Sequence, residues 1–205
     1  MKKRTLSLLI ICGLAACVMV DSAYAGKGKG FGRTSTVPVT VLTPAEAEDL
    51  LFLREEEKLA RDVYVTFYGV WKYRIFNNIA KSEQRHMDAV LGLMNIYGLA
   101  DPVLEFGLFA NPELQELFDT LVADGAQAEL DALMIGALIE EVDIEDLVSA
   151  MQRTSNSRIL AVYLNLLAGS ENHLRAFVRN IELLTGESYV AQVIPQEDVD
   201  AILAR

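Results

Sequence analysis

A chain of 205 residues that is 52% hydrophobic and 23% charged has an ordinary globular composition and is long enough to bury one sizeable core. It carries 29 acidic side chains against 18 basic ones, a balance that repels phosphate backbones, argues against nucleic acid as a partner and attracts cations. Both cysteines, Cys12 and Cys17, fall in the N-terminal segment, so a mature protein that has lost this segment is excluded from thiol chemistry and thiolate metal ligation.

That segment reads as a secretory signal rather than as fold. Met1-Lys2-Lys3-Arg4 leads into an apolar run over residues 6–20, too short for a membrane span, and Ala23-Tyr24-Ala25 supplies a small-x-small cleavage site. A rival site, Leu14-Ala15-Ala16-Cys17, resembles the bacterial lipobox, which would lipidate Cys17. The apolar Val18-Met19-Val20 after the cysteine favours cleavage after Ala25. Either route implies export from a bacterial cytoplasm: a periplasmic or secreted protein, or a lipid-anchored one by the alternative. Loss of residues 1–25 leaves 15 basic against 28 acidic side chains and no expected membrane span.

Residues 26–41 are rich in Gly, Lys and Thr without apolar periodicity, the composition of a flexible linker. Thr43-Pro44-Ala45-Glu46 then gives a cap, a proline at the first helical position and a carboxylate at the third, so a first helix is predicted to start there. Its stripe runs through Leu50, Leu53, Glu57, Ala60, Tyr64 and Phe67 and is expected to end near Gly69. A second helix is predicted over 72–97, with Phe76, Ile79, Glu83, His86, Val90, Leu93 and Tyr97 inward and Gly98 as its stop. So short a turn makes the two antiparallel.

Asn111-Pro112-Glu113 caps a short helix that Asp124-Gly125 should break. A third long helix is predicted from about Ala128, with Leu133, Gly136, Ala137, Glu140, Asp143, Ile144, Leu147 and Met151 on one face. The fourth, over 157–184, presents Ile159, Val162, Tyr163, Leu166, Ser170, His173, Phe177 and Ile181, and Gly186 follows it. Residues 186–205 form a tail expected to be partly helical. With no alternating strand pattern, the fold class is all-α. The order long, long, crossover, long, long is that of a ferritin-like four-helix bundle over 42–185 whose crossover carries an extra short helix.

Each long stripe is interrupted near its middle by groups that make poor core residues and good metal ligands. Glu83 and His86 stand three apart on one helix face, a weak motif alone. What strengthens it is that both histidines of the chain, His86 and His173, lie on inward stripes. Burying Glu57, Glu83, Glu140 and Asp143 unpaired would cost several kcal/mol each, on the order of an uncompensated charge, so either cations lie between them or the groups are protonated, and metal is the more economical answer. Oxygen and imidazole donors without sulfur suit iron, manganese or zinc.

Glu57-Lys58-Leu59-Ala60-Arg61-Asp62-Val63-Tyr64 resembles the first-helix signature of rubrerythrin-like proteins in the ferritin-like diiron superfamily. More narrowly, that segment, Ser82-Glu83-Gln84-Arg85-His86-Met87 and Asn172-His173-Leu174-Arg175-Ala176-Phe177 look like the domain of unknown function numbered 2202, over about residues 42–184. The resemblance implies that Glu57 is the first-helix ligand, that Glu55 and Glu56 are solvated, and that Glu83 and His86 are the second-helix pair. The superfamily's second Glu-x-x-His is broken, because Ser170 stands where the glutamate belongs, and Glu171 lies roughly 100° further around the helix. Asp143, three residues from Glu140, either replaces that ligand or caps a new helical segment, Asp143-Ile144-Glu145-Asp146. Tyr64, Arg61, Arg85 and Tyr163 are candidates to orient the carboxylates.

The expected centre is therefore Glu57, Glu83, His86, Glu140, Asp143 and His173 holding two iron ions, with manganese or zinc as alternatives. The partners would be metal ions with dioxygen or peroxide, and the activity that of an oxidase, peroxidase or ferroxidase. A metal-buffering module without turnover and a degenerate structural bundle are the competing readings, and a homodimer is one option for assembly.

Overall fold

The computed structural model describes residues 41–205. The expected signal segment with its two processing sites, and the linker up to residue 40, lie outside them. The described residues are all helical in their regular structure, with six helices and no strand: α1 (Pro44–Trp71), α2 (Arg74–Tyr97), α3 (Pro112–Gly125), α4 (Glu129–Arg153), α5 (Ser157–Thr185) and α6 (Gln196–Leu203). No helix among them is long and apolar enough to cross a membrane.

The caps read from the sequence set several boundaries. Thr43 accepts from the Glu46 amide while the Glu46 carboxylate accepts from the Thr43 amide, so two otherwise orphaned donors at the start of α1 are satisfied. Asn111 and Asn156 cap α3 and α5, and Gly98 and Gly186 take up left-handed conformations after α2 and α5. α1 does not stop at Gly69. It runs on to Trp71, whose indole N–H donates to the Gly125 carbonyl at 2.9 Å, and turns at Lys72, which adopts φ 57°. The indole contact holds the extra turn in place, and α2 starts two residues later than the periodicity suggests.

α1 packs on α2 and α4 on α5, and the two pairs meet along α1–α4 and α2–α5. The ion pair of Arg153 with Asp49 and the hydrogen bond of Tyr64 with Glu140 fix α1 and α4 as antiparallel. α2 and α4 consequently run in the same direction, and residues 98–128 must return along the full length of the helices, roughly 36 Å for a helix the length of α2. This connection carries α3, which lies against α1 and α4. It is tied down by polar groups on α1: Arg54 pairs with Asp101, Glu55 accepts from the amides of Ala110 and Asn111, and the fully buried Lys58 donates to Asp62 and to the Leu108 carbonyl.

Two apolar clusters fill the interior. One, around Tyr64, Phe67, Phe76, Phe177 and Ile181, takes in α3 and the α6 residues Val199 and Ile202. The other, around Leu50, Val90, Leu93, Leu147, Ile159 and Leu166, lies toward the start of α1. Each fully buried aromatic or leucine stabilises the fold by about 1.5–3 kcal/mol, and this dispersed gain can tolerate the polar layer that separates the clusters.

Candidate metal centre

Glu57 on α1, Glu83 and His86 on α2, Glu140 on α4 and His173 on α5 converge between the two apolar clusters. The three carboxylates are fully buried, and both histidines are buried almost as completely. The side chains fall into two groups of convergent donor atoms, Glu57 with Glu83 and His86, and Glu83 with Glu140 and His173, so Glu83 belongs to both. The imidazole rings stack with centroids 5.4 Å apart.

The distances show a near-symmetric arrangement about Glu83. Its Oε2 lies 2.8 Å from Nδ1 of His86 and its Oε1 lies 2.8 Å from Nδ1 of His173. Glu57 Oε2 lies 3.1 Å from the first imidazole, and Glu140 Oε2 lies 3.3 Å from the second. Despite the short separations, neither oxygen of Glu83 has a hydrogen bond of acceptable direction, and Glu57 Oε1 has no partner either. Each imidazole thus hydrogen-bonds to Glu57 or Glu140, while the equally close oxygens of Glu83 are directed at neither ring and converge with the other donors on two common points.

Protonation reflects the crowding. Burial pushes Glu83 up, but the two imidazoles, each 2.8 Å from one of its oxygens, outweigh it when positively charged and hold the carboxyl down to about 2. Glu57 touches one imidazole only, and there burial wins, with the neighbouring Glu83 charge adding to it, so its pKa rises to about 7. Burial lowers both histidines, yet their carboxylate partners raise His86 to about 10 and His173 to about 11. Glu140 is raised, chiefly by burial. Tyr64 donates to Glu140 Oε1 at 2.6 Å and to the Gly136 carbonyl at 3.2 Å, which orients that carboxylate.

Asp143, the sixth expected ligand, is buried beside these groups but joins neither convergent set. Its Oδ2 has no partner, and burial together with the charges of Glu56, Glu57, Glu140 and Glu83 pushes its pKa well up. It does not cap a new segment, because α4 is continuous through it. Ser170 is buried with Oγ donating to the Leu166 carbonyl at 3.3 Å. Glu171 lies off the site and pairs with Arg205.

Several expectations need correction. Glu55 and Glu56 are buried rather than solvated, since the crossover covers one and α4 the other. Of the candidate orienting residues only Tyr64 touches a carboxylate of the centre; Arg61 binds Asp62 and Gln84, Arg85 binds Ser82, and the Tyr163 hydroxyl is buried without a partner. Gly169 was missed. A Cβ there would lie 2.4 Å from His86 Nε2, so a side chain at this position would collide with the ring. A glycine in mid-helix is the sequence signal that could have pointed to it.

Four carboxylates, Glu57, Glu83, Glu140 and Asp143, are buried here with two imidazoles, and three of the four, Glu57, Glu83 and Asp143, keep an oxygen without a partner. When ionised they carry a charge that two divalent cations neutralise, and the donors are all oxygen or imidazole, so the residues fit such ions. Fold and site thus define a class: an all-helical protein whose interior holds acidic and histidine groups able to bind metal. Within that class the chain belongs to the family described as "Uncharacterized protein domain (DUF2202)", whose model matches residues 46–205 and so takes in the C-terminal tail beyond the segment that first suggested it. It is 47% identical over 172 residues to the uncharacterized protein MJ0754 of Methanocaldococcus jannaschii, covering 83% of this chain and 92% of that one. The crystal structure of hypothetical protein MJ0754 superposes with a TM-score of 0.79 over 83% of this chain and 98% of that one.

Proposed function

We propose that the chain is an exported, ferritin-like four-helix protein of rubrerythrin type that holds two divalent metal ions, iron foremost, and acts as an oxidase, peroxidase or ferroxidase. The observation that carries this reading is Glu83, whose two oxygens each lie 2.8 Å from a different imidazole without a directed hydrogen bond to either. Glu57 and His86 would hold one ion, Glu140 and His173 the other, with Glu83 between them and Asp143 in reserve beside them. The up-and-down helix pairs joined by one long crossover are the packing expected of ferritin-like bundles. The basic start and apolar run of residues 1–20 support export.

Iron bound here would supply electrons to dioxygen or peroxide. The chain's own groups prepare for that in definite ways. Tyr64 donates a hydrogen bond to Glu140 at 2.6 Å and fixes that carboxylate. His86 and His173 are buried with only 8% of each residue exposed, and the apolar clusters on either side exclude bulk water. The absence of a carboxylate at Ser170 leaves the His173 side one donor poorer, and this feature favours the second reading, a metal-buffering protein without turnover.

Metal analysis of the purified protein, followed by anaerobic Fe(II) loading and exposure to air with near-ultraviolet absorbance recorded, separates the readings. Two ions per chain and rapid oxidation support the enzyme. Tight binding with no change on aeration supports the buffer. Absence of binding near neutral pH, or binding unaffected by His86→Ala, refutes both.

A further inference from the structure

Charge is spread unevenly over the bundle. Residues 41–205 carry 28 acidic side chains and 12 basic ones, and Arg54, Lys58, Arg61, Arg153, Arg175 and Arg205 are each paired with an acid. Of the basic residues that pair with no acid among the described residues, Arg74, Lys81 and Arg85 recur at helical spacing along one exposed stripe of α2, and Arg179 is exposed on α5. Helix stability does not account for the stripe: α2 has no acid in its first turn, and Arg74 there opposes the helix dipole.

Packing brings these cations together. Phe76 meets Phe177 with ring centroids 5.8 Å apart and His86 meets His173 at 5.4 Å, so α2 and α5 run antiparallel and Arg179 comes level with the stretch of α2 between Arg74 and Lys81. Leu183, 75% exposed, comes level with Arg74. From Arg74 to Arg85 the face extends roughly 17 Å and ends beside the centre, since Arg85 precedes His86, and a Cβ on the half-buried Gly169 of α5 would lie 2.4 Å from that ring. The acids of both helices turn away from it. Asp88 accepts from Gln84, itself held by Arg61 of α1, while Glu182 accepts from the Tyr189 amide, Glu171 pairs with Arg205, and Glu83 is buried in the centre.

An exposed leucine among cations has the make-up of a protein contact, in which apolar area is bordered by charge. The acids elsewhere limit what can dock. An extended polyanion or an anionic bilayer would also lie across acidic faces, whereas a small protein with a confined acidic face meets the patch alone. The proposed reaction needs such a partner as well, because residues 26–205 hold no cysteine to supply electrons and each peroxide reduced to water takes up two electrons and two protons.

We propose that the α2–α5 face of Arg74, Lys81, Arg85, Arg179 and Leu183 docks a small acidic electron-carrier protein, oxidised in two one-electron steps for each peroxide reduced, with both protons drawn from solvent. That the partner is an acidic protein rests on the face alone; that it carries electrons rests on the reading of the Glu83 cluster as a redox metal centre.

An acidic two-iron, two-sulfur ferredoxin is the probe. Calorimetric titration of the full-length protein at low ionic strength should show association that weakens as salt is added, and the double charge reversal Lys81→Glu with Arg85→Glu should weaken it by about tenfold or more. Arg158→Glu, exposed at the opposite end of α5, should leave it unchanged. In iron-loaded protein the double variant should raise KM for reduced ferredoxin and leave kcat alone, a division that loss of fold or of metal does not give. No association, or equal association for the unmodified protein and the double variant, overturns the proposal. Anionic vesicles or duplex DNA bound as tightly, and as dependent on Lys81 and Arg85, overturn it in favour of a polyanion. Association without oxidation of the ferredoxin supports the surface and overturns its part in electron delivery, and metal analysis of the same sample shows whether the centre itself has failed.

Discussion

Gly169→Ala is the substitution that most directly tests whether the position of His86 matters. An added methyl group would lie 2.4 Å from Nε2 and 2.6 Å from Cε1 of the ring, against an ordinary contact limit near 3.4 Å, so one of them must retreat by about 1 Å. The ring cannot simply slide away from α5, because Nδ1 on its other side already lies 2.8 Å from Glu83 and 3.1 Å from Glu57. It must rotate, and a ligand displaced by more than roughly 0.5 Å leaves the working geometry of a site. The expected result is a loss of about 10- to 100-fold in affinity for the ion on the Glu57–His86 side, the range seen when a group that orients a ligand is removed. The ion on the Glu140–His173 side should change much less. Calorimetric titration of the metal-free protein with zinc or manganese measures both, and circular dichroism checks that the fold survives. Gly92→Ala serves as the control, since nothing lies within 4 Å of its added methyl group. Unchanged affinity in a folded Gly169→Ala protein would refute the placement of His86 as a ligand.

Two further outcomes follow from the same coordinates. Glu141 is fully buried and accepts from the Tyr189 hydroxyl and from the amides of Gln192, Val193 and Ile194, so it anchors the segment that leads into α6. Glu141→Ala should destabilise the protein by about 3–5 kcal/mol if the segment stays docked with its donors unsatisfied. If the segment is released instead, limited proteolysis should cut within residues 189–195 while α1 to α5 stay protected, and resistance equal to that of the unmodified protein would contradict the anchoring. The second outcome concerns pH. In the metal-free protein His86 titrates near 10 against an ordinary 6.5, so its stabilisation is complete below 6.5 and is lost as pH rises through 10. Glu57, raised from 4.5 to about 7, likewise favours the fold when protonated and loses that contribution earlier, as pH rises from 4.5 through 7, whereas Glu83, lowered to about 2, matters only in acid. The melting temperature of stripped protein should therefore fall between pH 6 and about 10, while added metal, which competes with these protons, should stabilise more as pH rises. Parallel curves with and without metal would show that the ions bind elsewhere.

The sequence by itself determined the helices, because capping residues, prolines and apolar periodicity are local properties of the chain. Thr43, Asn111, Asn156, Gly98 and Gly186 act where their types indicate. It also singled out Glu57, Glu83, His86, Glu140 and His173, since a polar group on an apolar stripe must lie inward once that stripe is buried. What it could not decide was which other faces are covered. Glu55, Glu56 and Glu141 lie off the stripes and would be solvated on an isolated helix, yet the crossover, α4 and the C-terminal segment each bury one of them. Nor could helical phase show that Glu83 stands between two imidazoles from different helices, or that Gly169 makes room for one of them. Phase fixes a direction around one axis, whereas these contacts depend on the distance between axes, which only the packing of all the helices sets.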